Sequence, residues 1–386
     1  MWQGREIVFC ALAVLAGNVL GDALAFPPIV YLVFSMAFAG MAWRCRLRVW
    51  PLLALVMLGA TAVQGGRMPG GGMEPAGTSS ALMAWASGCK SSFSAWLGQL
   101  LPEGDELAVL RALAIGDKSR LSRDLRLAYR ESGAMHLLAL SGLHVGLVYA
   151  LLVWMLRPLG GHRWARLLRS AVILGLLWAY ALVTGLSASI ARAVLMITFY
   201  EVSGLLSGDR DGLSALAGSA LLLMLLRPES PRDIGFQLSY TAVLSILLLY
   251  PRLSRLLQSR SRLLTRVWEL LSVSLCCQAT CGVLAWLYFG TFPRYFLLTT
   301  LLAIPLTTIV MYAIAASVGT AGLSSFVSGF LPASPPSSTA TVHPLADWIS
   351  SFLTTVSDAA SAILHWLLHL LNTLLSLIAS LRSEER

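Results

Sequence analysis

The stretch from Glu131 to Gly146 reads ESGAMHLLALSGLHVG and sets His136, Ser141 and His144 in an otherwise apolar run. Polar side chains inside an apolar segment of membrane length are costly to desolvate, so they mark function by default. Drawn as one helix at about 100° per residue, the three share an arc, with His144 roughly 80° and Ser141 roughly 140° from His136. An arc of this kind either lines a polar path or, with Ser141 and His144 at i, i+3 spacing, pairs a nucleophile with its base. No acid within the stretch orients the histidine, which counts against the second reading. Gly142 and Gly146 fall on the opposite face as a Gly-xxx-Gly pair, expected to let a neighbouring helix pack closely.

Other residues carry chemistry at a distance from this stretch. Arg192 is a fixed positive charge inside an apolar segment, and Gln237 and Ser239 supply uncharged donors. These groups either contact an anionic cargo or form a buried network, with Arg192 paired to Glu201 or Asp233 and Gln237 satisfying carbonyls of a broken helix. From Ser119 to Ser132, Arg120, Arg123 and Arg130 recur at helical steps. That stripe is either a solvated face offset by Asp124 and Glu131 or a guide for phosphate groups. His365 and His369 have metal-ligand spacing without a carboxylate nearby in sequence, and Cys276, Cys277 and Cys281 lack a second pair or a histidine at ligand spacing. No metal and no cofactor are therefore expected. A phosphate-loop motif is absent too, so energy from ATP would have to come from a partner.

The elements that must position these residues are membrane spans. Of the 386 residues, 57% are hydrophobic and 12% charged, and the mean hydropathy is +0.73. A chain this apolar has too little polar surface for a water-facing globule, which excludes soluble enzymes, secreted disulfide scaffolds and disordered chains. An all-α, polytopic helical bundle of about 10–11 spans is expected from apolar runs of membrane length. They begin with Ile7 to Leu20, Leu24 to Ala42 and Trp50 to Val63, and continue with Ala134 to Leu156 and seven more through Leu345 to Leu381. Loops carrying Arg44, Arg46 and Arg48; Arg157, Arg163, Arg166 and Arg169; Arg210; and Arg252, Arg255, Arg260, Arg262 and Arg266 alternate with loops holding only Arg227, Arg232 and Arg294. The alternation predicts a cytoplasmic N-terminus, with residues 64–132 outside. Part of the net charge of +9 thus reports topology.

Four segments follow from this reading: N-terminal transmembrane helices in 1–63, an external segment with an Arg-striped helix in 64–132, a channel core in 133–331, and a Pro/Ser linker with a C-terminal amphipathic helix in 332–386. In that last helix Ile349, Phe352, Ile363, Trp366 and Leu377 mark the apolar stripe, and Ser361, His365, His369 and Asn372 the polar one.

The signature stretch resembles the ComEC family, inner-membrane channels of natural competence that pass single-stranded DNA into bacteria. Ser132-Gly133 followed by His136 through His144 is similar to the family's signature. Ser187 to Met196, Asp233 to Val243 and Ile115-Gly116-Asp117-Lys118 resemble three further family segments, in the family's order. The resemblance implies a multi-pass protein of the bacterial inner membrane that translocates single-stranded DNA during natural transformation and is not an enzyme. His136, Ser141, His144, Arg192, Gln237 and Ser239 would line the DNA path, with Arg120, Arg123 and Arg130 as the external guide. Implied partners are an external DNA receptor, a cytoplasmic motor or single-strand-binding proteins, membrane lipid, a separate nuclease and a second copy of the chain. Residues 64–108 look too short for the family's external OB-like domain, and no His-x-His-x-Asp-His cluster of a nuclease domain occurs. The channel core alone is therefore expected. A secondary transporter for a smaller anionic solute is the alternative.

Overall fold

The computed structural model describes residues 4–24, 35, 56, 78–138, 141–208, 210–257, 260–290, 296–330 and 344–383. Apart from single residues, the second and third expected spans lie outside the described residues, as do the glycine-rich 65–72 and the Pro/Ser tract 332–341. No strand occurs among the described residues. Six helical stretches are long and apolar enough to cross a membrane: Arg163–Val183, Ala188–Leu206, Ile234–Leu253, Arg262–Phe289, Thr299–Thr320 and Thr355–Ser380. Shorter apolar helices cover Ile7–Val19, Gly142–Met155 and Gly212–Leu226. The chain is an all-α, multi-pass membrane protein.

Two compact units divide it, and each is discontinuous in sequence: Met1–Ala86 with Val148–Phe292, and Ser87–Leu147 with Pro293–Arg386. In the first, α1 (Gly4–Leu24) packs on α9 (Gly212–Leu226), and α8 (Ala188–Ser207) packs on both α9 and α7 (Arg163–Val183). Small residues permit the close approach. Ser214 to Ser219 of α9 are all buried, and a Cβ on Gly218 would sit 2.6 Å from the Phe199 ring of α8. On α10 (Ile234–Leu253), Phe236 and Tyr240 stack at 4.2 Å. The Tyr240 hydroxyl donates to Ser219 Oγ at 3.1 Å, and Ser219 donates to the Leu216 carbonyl at 2.8 Å. A buried hydroxyl chain is thereby closed without a charge. A π turn, Gln278–Gly282, joins α11 (Arg262–Cys277) to α12 (Val283–Phe289), and there Cys281 donates to the Leu238 carbonyl.

The second unit contains α3 (Asp105–Ile115), whose residues Leu107 to Ile115 are all buried. It packs against α5 (Met135–Leu138), α13 (Phe296–Phe330) and α14 (Pro344–Ser383). The segment Gly116-Asp117-Lys118, which resembles a family motif, makes a tight link from α3 to α4 (Arg123–Glu131). Gly116 adopts φ 71° at the C-cap, where a side chain would be strained. Asp117 then accepts from the Ser119 N–H at 3.0 Å and the Ser119 hydroxyl at 2.6 Å, bonds that hold its carboxyl below the usual aspartate value. The Lys118 carbonyl receives Arg126 Nη2 at 2.6 Å.

The C-terminal helix corrects one expectation. Its buried face is Leu364, Leu367, Leu368, Leu371, Leu375 and Ile378, whereas Phe352, Ile363, Trp366 and Leu377 of the expected stripe are more than half exposed. Helix α14 is apolar on two faces, and the tertiary contacts with α13, α3 and α4 decide which one turns inward. The other is left to hydrocarbon, where exposed apolar side chains cost nothing.

Candidate functional site

Helix α5 ends at Leu138, and α6 (Gly142–Met155) starts after Ser141. Ser141 lies in neither helix, so the signature is not the single helix that the polar arc requires, and His136 on α5 and His144 on α6 share no common helical phase. Ser141 caps the second helix: its carbonyl accepts from the N–H of Val145, and the Ser141 N–H donates to His144 Nδ1 at 3.2 Å. Ser141 Oγ lies 3.0 Å from the same nitrogen. This is one half of a capping box, the N3 side chain accepting from the N-cap N–H, with histidine in the place usually taken by Glu or Gln. Because a backbone N–H can only donate, Nδ1 is an acceptor. The ring of the buried His144 is then neutral, with its proton on Nε2. Ser141 and His144 do meet, but as a cap that fixes the start of α6. The close approach expected at the glycine pair is not found among the described residues: a Cβ on Gly146 would meet nothing within 4 Å, and Gly142 is exposed.

Before α5, Ser132 ends α4 and Gly133 turns the chain with φ 78°. Thr299 of α13 donates to the buried Ser132 carbonyl at 2.6 Å, fastening the turn. The Ser-Gly pair of the motif thus shapes the backbone, since only glycine takes that φ without strain.

Arg192, Gln237 and Ser239 belong to the first unit. Of the two partners open to Arg192, the structure selects Asp233, with Nη1 3.5 Å from Oδ2. Asp233 is the N-cap of α10 and also accepts from the N–H groups of Gly235 at 3.1 Å and Phe236 at 3.3 Å. Gly235 leaves room for the guanidinium, since a Cβ there would lie 3.3 Å from Nη2. Gln237 donates to the Pro231 carbonyl at 2.8 Å and accepts from the Tyr288 hydroxyl at 2.7 Å. Both ends of its amide are engaged in joining the entry of α10 to α12. Ser239 is half-buried on α10.

The arginine stripe is shorter than expected. Helix α4 begins at Arg123 behind the N-cap Ser122, whose Oγ accepts from the Leu125 N–H. Arg120 precedes the cap and stands off the helix, because the Asp117 turn and the serine cap interrupt the period; it pairs with Glu103 at 3.6 Å. Arg123 and Arg130 are exposed on α4, while Leu125 and Tyr129 are buried. Tyr129 donates to Asn372 of α14 at 2.9 Å. His369 of α14 places Nδ1 3.0 Å from Glu106 Oε1, so a carboxylate absent from the sequence neighbourhood arrives through the fold. The hydrogen bond to His369 holds the Glu106 carboxyl below its ordinary value. No group of three His, Cys, Asp or Glu able to hold a metal is found among the described residues.

The most saturated polar cluster was reached in the sequence only as a candidate partner of Arg192. Glu201 of α8 is fully buried and accepts from the Tyr149 hydroxyl of α6 at 2.5 Å, the Ser170 hydroxyl of α7 at 2.6 Å and Arg210 Nη2 at 2.9 Å. Tyr149, Ser170 and Glu201 stand about two turns from the α6, α7 and α8 ends that meet the Arg-rich loops, roughly 10 Å at 1.5 Å per residue. A lone carboxylate within an apolar helix was the available signal.

A model of the Competence protein family matches residues 113–383. The chain belongs to that family, and the match takes in the signature, the Arg192 segment and the Asp233 segment. It is 35% identical over 151 residues to ComE operon protein 3 of Bacillus subtilis (strain 168), covering 39% of this chain and 19% of that protein. It is 28% identical over 267 residues to Competence protein ComA of Neisseria gonorrhoeae, covering 64% of this chain and 37% of that protein. The chain thus spans well under half the length of these relatives. No solved structure matches.

Proposed function

We propose that this chain is a channel of the bacterial inner membrane through which single-stranded DNA passes during natural transformation. The observation that carries the reading is the family match over residues 113–383, which falls on a bundle of apolar helices holding internal charges. A sequence-tolerant path needs fixed positive charge for phosphates and no base readout. Arg192, paired with Asp233, is a cation within a candidate span of the first unit, and Arg123 and Arg130 are exposed on α4 of the second. In this reading the chain is a conduit and not a catalyst. A motor or single-strand-binding proteins on the cytoplasmic side, a DNA receptor outside and a separate nuclease act around it.

The test is uptake of labelled DNA by cells with and without the gene, with surface binding of DNA scored separately. Loss of internalised DNA with binding intact is the expected result. Normal internalisation in the deletion strain overturns the proposal.

A further inference from the structure

Helix α3 carries one charged side chain into the interior of the second unit. Arg111 is 7% exposed, in a run from Leu107 to Ile115 that is otherwise wholly apolar. Its Nη2 reaches the Ser94 carbonyl on α2 (Thr78–Leu100) at 3.4 Å, while its buried Nε has no hydrogen-bond partner among the described residues. A Cβ on Gly98 of α2 would stand 2.9 Å from Nη2, so the guanidinium lies against the α2 backbone at a point where no side chain intervenes. No ion pair of Arg111 is found among the described residues. A guanidinium has five N–H donors in a planar fork. One long bond to a carbonyl leaves a buried cation far short of the partners that such burial requires.

The side chain is not sealed in. It lines a cavity of about 320 Å³ together with Arg120, Glu103, Gly104 and Asp105. The cavity stands at the start of α3, where the N-cap Gly104 offers no side-chain cap and the Glu106 carboxylate accepts from its own backbone N–H. The helix dipole and the first-turn N–H groups that Glu106 does not take favour an anion at such a terminus. Glu103, Asp105 and Glu106 oppose one, but Glu103 and Asp105 are exposed, so water screens them, and Glu103 is already paired with Arg120 and Glu106 with His369. Arg111 is the buried cation of the cavity floor, and the Asp117 carboxylate, which feels its charge, offsets only part of it.

We infer that this cavity binds a phosphate group, with Arg111 at its floor, Arg120 at its rim and the first turn of α3 completing the cradle. A guanidinium fork matches phosphate oxygens in paired hydrogen bonds, which suits a phosphodiester better than a point anion. That the phosphodiester belongs to DNA rests on the proposed function; the binding of phosphate itself does not.

The full chain in uncharged detergent micelles is titrated with a fluorescent ten-residue oligo-thymidylate, with inorganic phosphate as competitor and with phosphatidylglycerol added to the micelles in a separate arm. Arg111→Met keeps the aliphatic stem and removes the charge. It should weaken oligonucleotide binding about tenfold and lower the slope of log affinity against log salt by roughly 0.7, the share of one single-strand phosphate contact. Arg111→Lys should retain part of the affinity, and Glu103→Gln should tighten binding. Thermal unfolding of each variant shows that the fold is kept. If phosphatidylglycerol binds in an Arg111-dependent way and the oligonucleotide does not, the phosphate site stands and its ligand is lipid. Equal binding of all three probes by wild type and a folded Arg111→Met overturns it. Failure of the transport reading would show in the uptake assay instead, with binding here unchanged.

Discussion

Each unit buries a charged side chain among apolar helices, and the two are treated in opposite ways. Glu201 in the first unit accepts three hydrogen bonds, one from a guanidinium. Arg111 in the second has a single long bond to a carbonyl and opens on a cavity. A buried charge with its hydrogen-bonding capacity filled acts as a clamp on the elements that supply its partners, here α6, α7, α8 and the loop before α9. One with capacity to spare, facing solvent-accessible space, is prepared for something the chain itself does not provide.

The sharpest test of this contrast is Glu201→Ala. Removing the carboxylate strands the Tyr149 and Ser170 hydroxyls and the Arg210 guanidinium, and breaking such a pair costs about 3–5 kcal/mol. A large fall in the melting temperature of the detergent-solubilised protein is expected, with Glu201→Gln milder. If Glu201→Ala melts like wild type, the cluster is no clamp.

His144→Ala should cost about 1–2 kcal/mol, the range of a lost helix cap. Hydrogen exchange at the first turn of α6 should rise while α7 to α9 stay protected. Because the cap sets where α6 begins, uptake should fall by more than stability does. A variant that transports normally would make the signature histidine a packing device only.

Acid provides a finer probe. Glu106 has a lowered pKa from its hydrogen bond to His369. Its contribution is therefore complete above the ordinary value of 4.5 and is lost as pH falls through the lower folded value. Protection of α3 in the second unit should weaken in that window, and Glu106→Gln should flatten the dependence. An unchanged profile would mean that the contact between α3 and α14 does not depend on this pair.

Arg111→Met should be the smallest perturbation of stability, within about 1 kcal/mol and of either sign, since an under-satisfied buried cation stabilises little. A loss as large as that of Glu201→Ala would erase the contrast between the units.

Composition and hydropathy sufficed for the membrane class, because the cost of placing polar groups in hydrocarbon is local and additive along the chain. The helices at Arg163–Val183, Ala188–Ser207, Gly212–Leu226 and Ile234–Leu253 coincide closely with the apolar runs read from the residues. The family was legible as well, since its signature is a contiguous string. Partner choice was not. Arg192 selects Asp233, Glu201 gathers Arg210 and Ser170, and His369 meets Glu106 across 263 positions. The interruption at Ser141 was hidden because the run around it is apolar and reads as one helix. Arg120 left its stripe because the Asp117 turn and the Ser122 cap compete with helical spacing, and the inward face of α14 was set by its neighbours. Hydropathy and motif are properties of short windows and so survive in one dimension, whereas which charge is satisfied, and which is left facing a cavity, depends on helices that meet only when the chain has folded.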